Sequence, residues 1–141
     1  MTASEKINEV IEAYLEKSEE VLKKSKPSDG LLGFGDDPRR NPCHEQFYGD
    51  MGRTVEEICE DDLTEDEAYC AVMTILEAGR KRECPNMCKW MLVACQGHTI
   101  PLLSYLSAQS KEKLKKWYDD NVPKRTRLPV EKEVYRAISK Y

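Results

Sequence analysis

The chain holds only two histidines and two phenylalanines in 141 residues, and none of the short signatures that carry a known mechanism. The phosphate-loop lysine with its Ser/Thr neighbour is missing, and so is the strand that should precede that loop or a dinucleotide fingerprint. No segment alternates apolar and polar residues for long enough to form a strand. Long hydrophobic runs are also lacking. The densest, 91–106, is interrupted by Gln96, Gly97 and His98. It falls short of the roughly 20 apolar residues a spanning helix needs, so no membrane partner is expected. The first residues, Met1, Thr2, Ala3, Ser4 and Glu5, lack the basic start and apolar stretch of a signal peptide, which leads us to expect a cytoplasmic protein. In that reducing compartment the six cysteines are read as free thiols.

What is present is an ordinary globular mixture, 40% hydrophobic and 34% charged. At this length about two thirds of the unfolded surface can be buried, enough for residues 1–141 to fold as one domain without disulfides or metal. The net charge of -4 conceals an asymmetry. Residues 1–77 carry 8 basic and 20 acidic side chains and residues 78–141 carry 14 and 6, so the halves stand at -12 and +8. Such asymmetry marks either a charged partner or two halves docked on one another, and we expect the docking.

Helical periodicity dominates. Thr2 with Glu5 is a capping box, and Ile7, Val10, Ile11, Tyr14, Leu15, Val21 and Leu22 follow at helical spacing, predicting a first helix to about Lys24. Its remaining faces carry Glu and Lys and read as solvated charge. From Ser25 to Asn41 the period stops and Pro27, Gly30, Gly33, Gly35 and Pro38 accumulate, predicting a long loop over 26–41. Asn41 and Pro42 start a second helix with Phe47, Met51, Val55, Ile58 and Cys59 on one face. Gly49 and Gly52 within it predict close packing of another backbone, or a break.

Thr64 with Glu67 caps a third helix that ends near Gly79, with Ala68, Ala71, Val72, Ile75 and Leu76 buried. A fourth opens at Pro85 with Cys84 as its cap and stops at Gly97. Thr99 caps a short fifth containing Pro101, the two forming one kinked helix in the alternative. Ser110 starts a sixth with Leu114, Trp117 and Tyr118 inside, and Pro129 opens the last. The expected fold is therefore all-α, a single-domain irregular bundle of about six or seven short helices with one long Gly/Pro-containing loop. Cys59, Cys70 and Cys95 are expected on the apolar faces of these helices.

Five features carry chemistry. Cys84, Cys88, Met91, Cys95 and His98 lie along one stripe if their helix is continuous. Sulfur and imidazole suit borderline metals, with Cys84, Cys88 and His98 the candidate ligands and Cys43 and His44 able to complete a set. The spacing differs from zinc modules, and Cys84 to Cys95 would span about 16 Å, so a buried packing stripe is expected and no cofactor. Cys84, at a helix start after Arg80, Lys81 and Arg82, is expected to be the most reactive thiol, with Cys43 a weaker case. His44 and His98 are the only ordinary general-base candidates.

In the loop, Gly33, Phe34 and Gly35 followed by Arg39 and Arg40 before a helix start offer an anion site or, as we prefer, a partner-binding surface. The segment 111–127 interleaves lysines and arginines with Trp117 and Tyr118. The aromatic phase places those rings inside, so nucleic-acid binding is not expected. These residues point first to a protein-interaction or regulatory module that binds a protein partner or itself. A thiol- or metal-dependent enzyme using Cys84 or Cys43 with a histidine comes second, and nucleic-acid binding through the basic half third.

Overall fold

The first capping box closes as the spacing predicts. The Glu5 amide donates to Thr2 Oγ1 at 3.2 Å and the Thr2 amide to a Glu5 carboxylate oxygen at 3.3 Å. This start launches α1, Ala3–Lys24, which buries Ala3, Ile7, Ile11, Tyr14 and Ser18 at three- and four-residue spacing. The computed structural model describes residues 2–24, 43–80, 83–84 and 86–140. The predicted loop with Gly33, Phe34, Gly35, Arg39 and Arg40 lies outside the described residues, as do the Asn41–Pro42 helix start, Lys81, Arg82 and Pro85.

The second helix, α2, runs unbroken over Cys43–Glu60 and buries His44, Phe47, Met51, Val55 and Ile58 against α1. A Cβ on Gly52 would sit 3.2 Å from Cε1 of His98. Close packing is thus the reason for this glycine, but it is a side chain that approaches and not a backbone. Around Gly49 a Cβ would meet only the end of Arg53 at 3.7 Å.

The centre of the bundle is α3, Glu65–Arg80, capped by Thr64 Oγ1, which accepts from the Glu67 amide at 3.2 Å. Its small buried residues, Ala68, Ala71, Ala78 and Gly79, let neighbours approach closely. A Cβ on Gly79 would lie 3.1 Å from Cα of Val93, so the backbones of α3 and α4 touch there. Cys70, expected on the apolar face, is exposed, because the stripe around it is completed by Ala68, Ala71 and Val72 one side over.

The stretch after α4, Asn86–Ala94, corrects the prediction. The helix does not continue to Gly97 and no new α-helix starts at Thr99. Instead the chain tightens into a 3-10 helix over Cys95–Tyr105. Pro101 offers no N–H, and its ring would clash with the carbonyl four residues back in α geometry. Thr99 Oγ1 donates back to the Gln96 carbonyl at 2.7 Å and so does not act as a start cap. Runs of this length are uncommon for 3-10 geometry. This one is held by packing on α2, α3 and α6.

Next, α5 spans Ala108–Asn121. It begins before the expected Ser110, because Ser107 is the cap and accepts from the Ser110 amide at 3.2 Å. Glu65 takes hydrogen bonds of 2.8 Å from both the Ser107 amide and the Ser110 hydroxyl, tying the starts of α3 and α5 together. Those bonds hold the Glu65 carboxyl below the usual range. Leu114, Trp117 and Tyr118 are buried, as their phase predicts. After a 3-10 turn at Lys124–Thr126 comes α6, Pro129–Lys140. Its buried Glu131 accepts from the Leu128 amide at 3.0 Å and holds Arg80 through two bonds of 2.9 and 2.5 Å.

Among the described residues there are six α-helices, two 3-10 helices and no strand, arranged around one apolar core. The fold is an all-α bundle of the expected kind. No helix among the described residues is long and apolar enough to cross a membrane.

Candidate functional site

Between α1 and α2 runs a groove with a volume of about 910 Å³. Its floor is apolar and aromatic: Val10, Ala13, Tyr14 and Phe47. The Tyr14 and Phe47 rings stack with centroids 4.1 Å apart and planes within 8° of parallel. One rim carries Glu5, Glu9, Glu12 and Glu16, spaced i, i+4, i+7 and i+11 so that they share one stripe of α1. Asp50 and Glu57 stand on the α2 side. Among the described residues of the lining, two cations, Lys17 and Arg53, stand with these six carboxylates, and Arg53 is paired with Asp50. At 1.5 Å per residue the glutamate stripe is about 17 Å long.

Beneath the floor lies a buried polar knot. The Tyr14 hydroxyl is 2.6 Å from Nδ1 of His44 and also within hydrogen-bonding reach of the Cys88 thiol and of Ser18. Burial, reinforced by Cys88, pushes the phenol well above its ordinary pKa, so Tyr14 is a neutral hydrogen-bonding group. The His44 ring meets the edge of Trp90, centroids 5.1 Å apart at 79°. Trp90 is itself 40% exposed. The knot thus connects the groove floor to an exposed indole.

The predicted site residues do not gather in one cleft. Cys43 is half-buried in the groove wall and His44 is buried beside it. Cys84 is half-buried at the edge of the core. The thiol that reaches the Tyr14–His44 pair is Cys88, one turn further on and fully buried. His98 belongs to another seam, over Gly52 and 4.4 Å from the Tyr48 ring. Burial lowers its pKa, against the opposing pull of the Tyr48 backbone and Glu56, and its Nε2 is buried without a hydrogen-bond partner.

The stripe of Cys84, Cys88, Met91, Cys95 and His98 is broken by the change to 3-10 geometry. Cys88, Met91 and Cys95 are core, and burial pushes the Cys95 thiol up to about 12. Among the described residues no three His, Cys, Asp or Glu side chains are grouped to hold a metal. All six cysteines are described and none forms a disulfide.

The groove was missed in the sequence because the outer face of α1 reads as solvated charge. The available signal was the i, i+4, i+7, i+11 spacing of four glutamates without interleaved lysines on that stripe. Comparison of the chain with protein-family models, with curated proteins and with solved structures finds no match in any of the three.

Proposed function

We propose that this chain is a protein-interaction module whose binding surface is the groove between α1 and α2. The observation that carries the reading is the combination of an open groove of about 910 Å³, a stacked Tyr14–Phe47 floor and a charged rim. Apolar floors with polar rims are what segments of partner proteins dock into, the floor supplying affinity and the rim register. The second helix forms one wall. Six cysteines outside any disulfide fit work in the reducing cytoplasm.

The test is a peptide array of mixed chemistry, probed with the wild-type chain and with Ala13→Trp, which fills the groove from an exposed position. Peptides retained by the wild type and lost by Ala13→Trp support the reading. Retention of the same peptides by both, or of none, overturns it.

A further inference from the structure

We infer that the groove's occupant is a second copy of this chain, seated through the corner at residues 124–128 between α5 and α6. This rests on the reading of the groove as a docking surface and names the partner for it. The first argument is charge. Among the described residues, the ion pairs Lys6–Asp61, Arg53–Asp50, Arg80–Glu131, Lys115–Glu112 and Arg127–Asp119 each join residues of the same half of the chain. The acidic and basic halves do pack together, but the asymmetry between them is not cancelled by these pairs. It appears on the surface as an acidic groove at one place and a basic corner at another.

The corner also carries an apolar anchor. Leu128 is 43% exposed, one of three large hydrophobic side chains with such exposure among the described residues, and Lys124 and Arg125 beside it are exposed. A leucine flanked by cations is the chemical complement of an apolar floor between carboxylates.

The corner is rigid as well. The Val122 amide donates to the Tyr118 carbonyl at 2.8 Å and the Thr126 amide to the Pro123 carbonyl at 3.0 Å. Arg127 is pinned by the Val122 carbonyl at 3.0 Å, by Asp119 at 3.1 Å and over the Tyr135 ring at 4.5 Å. A segment held this way loses little conformational freedom on docking. At about 2 Å per residue in 3-10 geometry and about 3.3 Å extended, five residues fit within the roughly 17 Å stripe. The two surfaces differ, so the contact is heterologous and extends into rings or chains of molecules.

A charge swap on the full-length chain tests this. One variant reverses the groove rim, Glu9→Lys with Glu16→Lys, and the other reverses the corner, Lys124→Glu with Arg125→Glu. All four positions are exposed, and circular dichroism verifies that each variant is folded. Sedimentation velocity in about 50 mM salt should show wild-type species heavier than the monomer, increasing with concentration and dispersing in about 500 mM salt. Each variant alone should associate at least about tenfold more weakly. Their equimolar mixture should regain the mass, because the native groove of one variant meets the native corner of the other, and growth beyond a pair follows where the reversed groove meets the reversed corner.

A wild type that stays monomeric, or a mixture that stays monomeric, overturns the inference. So does association that Ala13→Trp and both swaps leave intact, which would place the contact elsewhere. If the wild type is monomeric while the peptide array still loses its ligands with Ala13→Trp, the self-association falls and the groove reading stands, with basic peptides pointing to a different protein. If Ala13→Trp changes neither measurement, both fall.

Discussion

The Tyr14 hydroxyl and Nδ1 of His44 meet at 2.6 Å in the buried seam between α1 and α2, joining two helices separated by a long stretch of chain. Tyr14→Phe removes the bond while keeping the ring that stacks on Phe47. It should cost about 1–2 kcal/mol in urea denaturation, in the range of a lost buried hydrogen bond. It should also alter Trp90 emission, because His44 is the ring that Trp90 meets. An unchanged spectrum and midpoint would show that stacking alone holds the seam.

The Arg80–Glu131 pair predicts an asymmetry. Glu131 is fully buried, whereas the Arg80 side chain keeps about a quarter of its surface in water, at 27%. Arg80→Ala leaves a carboxylate inside with only the Leu128 amide, and should cost about 3 kcal/mol. Glu131→Gln keeps an acceptor for that amide and leaves a cation that reaches solvent, so its cost should be smaller, about 1–2 kcal/mol. Equal costs in chemical denaturation would contradict this account of the pair.

Gly79→Ala sets helix propensity against packing. Alanine is worth about 1 kcal/mol over glycine in a helix interior. Here its Cβ would sit 3.1 Å from Cα and 3.2 Å from the amide nitrogen of Val93, backbone atoms that move only with α4. Net destabilisation of about 1–3 kcal/mol is expected, measured as a lower melting midpoint. A stabilised variant would show that α4 gives way.

His98 predicts a pH dependence. Its pKa is lowered from 6.5 by burial, so the folded chain binds fewer protons here than the unfolded chain. Stability then rises with pH across the window between the folded value and 6.5, and is lost as pH falls through it. Glu65, also lowered, acts in the same direction but only below 4.5. His98→Asn should flatten the stability profile just below pH 6.5 and leave the acid limb unchanged. A profile with the same slope in that window would assign it to other groups.

Thiol accessibility gives a fifth expectation. Competitive alkylation at neutral pH with peptide mapping should label exposed Cys70 readily and Cys88 and Cys95 only as the chain unfolds. Cys43, Cys59 and Cys84 are all half-buried, so they test charge at matched exposure. Cys84 should lead these three, since it follows a basic stretch while burial raises the Cys59 thiol. Equal rates among them would remove any special standing for Cys84.

Most of the helices could be read from local rules, because capping boxes, first-turn prolines and three- and four-residue spacing act over a few neighbouring residues. Thr2 with Glu5, Thr64 with Glu67 and the buried face of Leu114, Trp117 and Tyr118 belong to this class. The 3-10 course of Cys95–Tyr105 does not, since nothing local distinguishes it from a kinked α-helix until α2, α3 and α6 pack on it. The candidate site was less legible still. Cys88 was singled out as a possible metal ligand, yet it stands beside Tyr14, a residue that showed only as core.

What the sequence determined by itself was therefore the helical class, the helix starts at Thr2, Thr64 and Pro129, and an unequal division of charge between the two halves. Only the tertiary structure decided where that charge lies. Packing α1 against α2 turned a face of solvated glutamates into the rim of a groove, and packing α5 against α6 left Lys124, Arg125 and Leu128 outside. The reason is one of range. Caps and periodicity are set by neighbours along the chain, whereas a groove exists only in the space between two helices, and that space is fixed by side chains far apart in sequence, such as Tyr14 and His44.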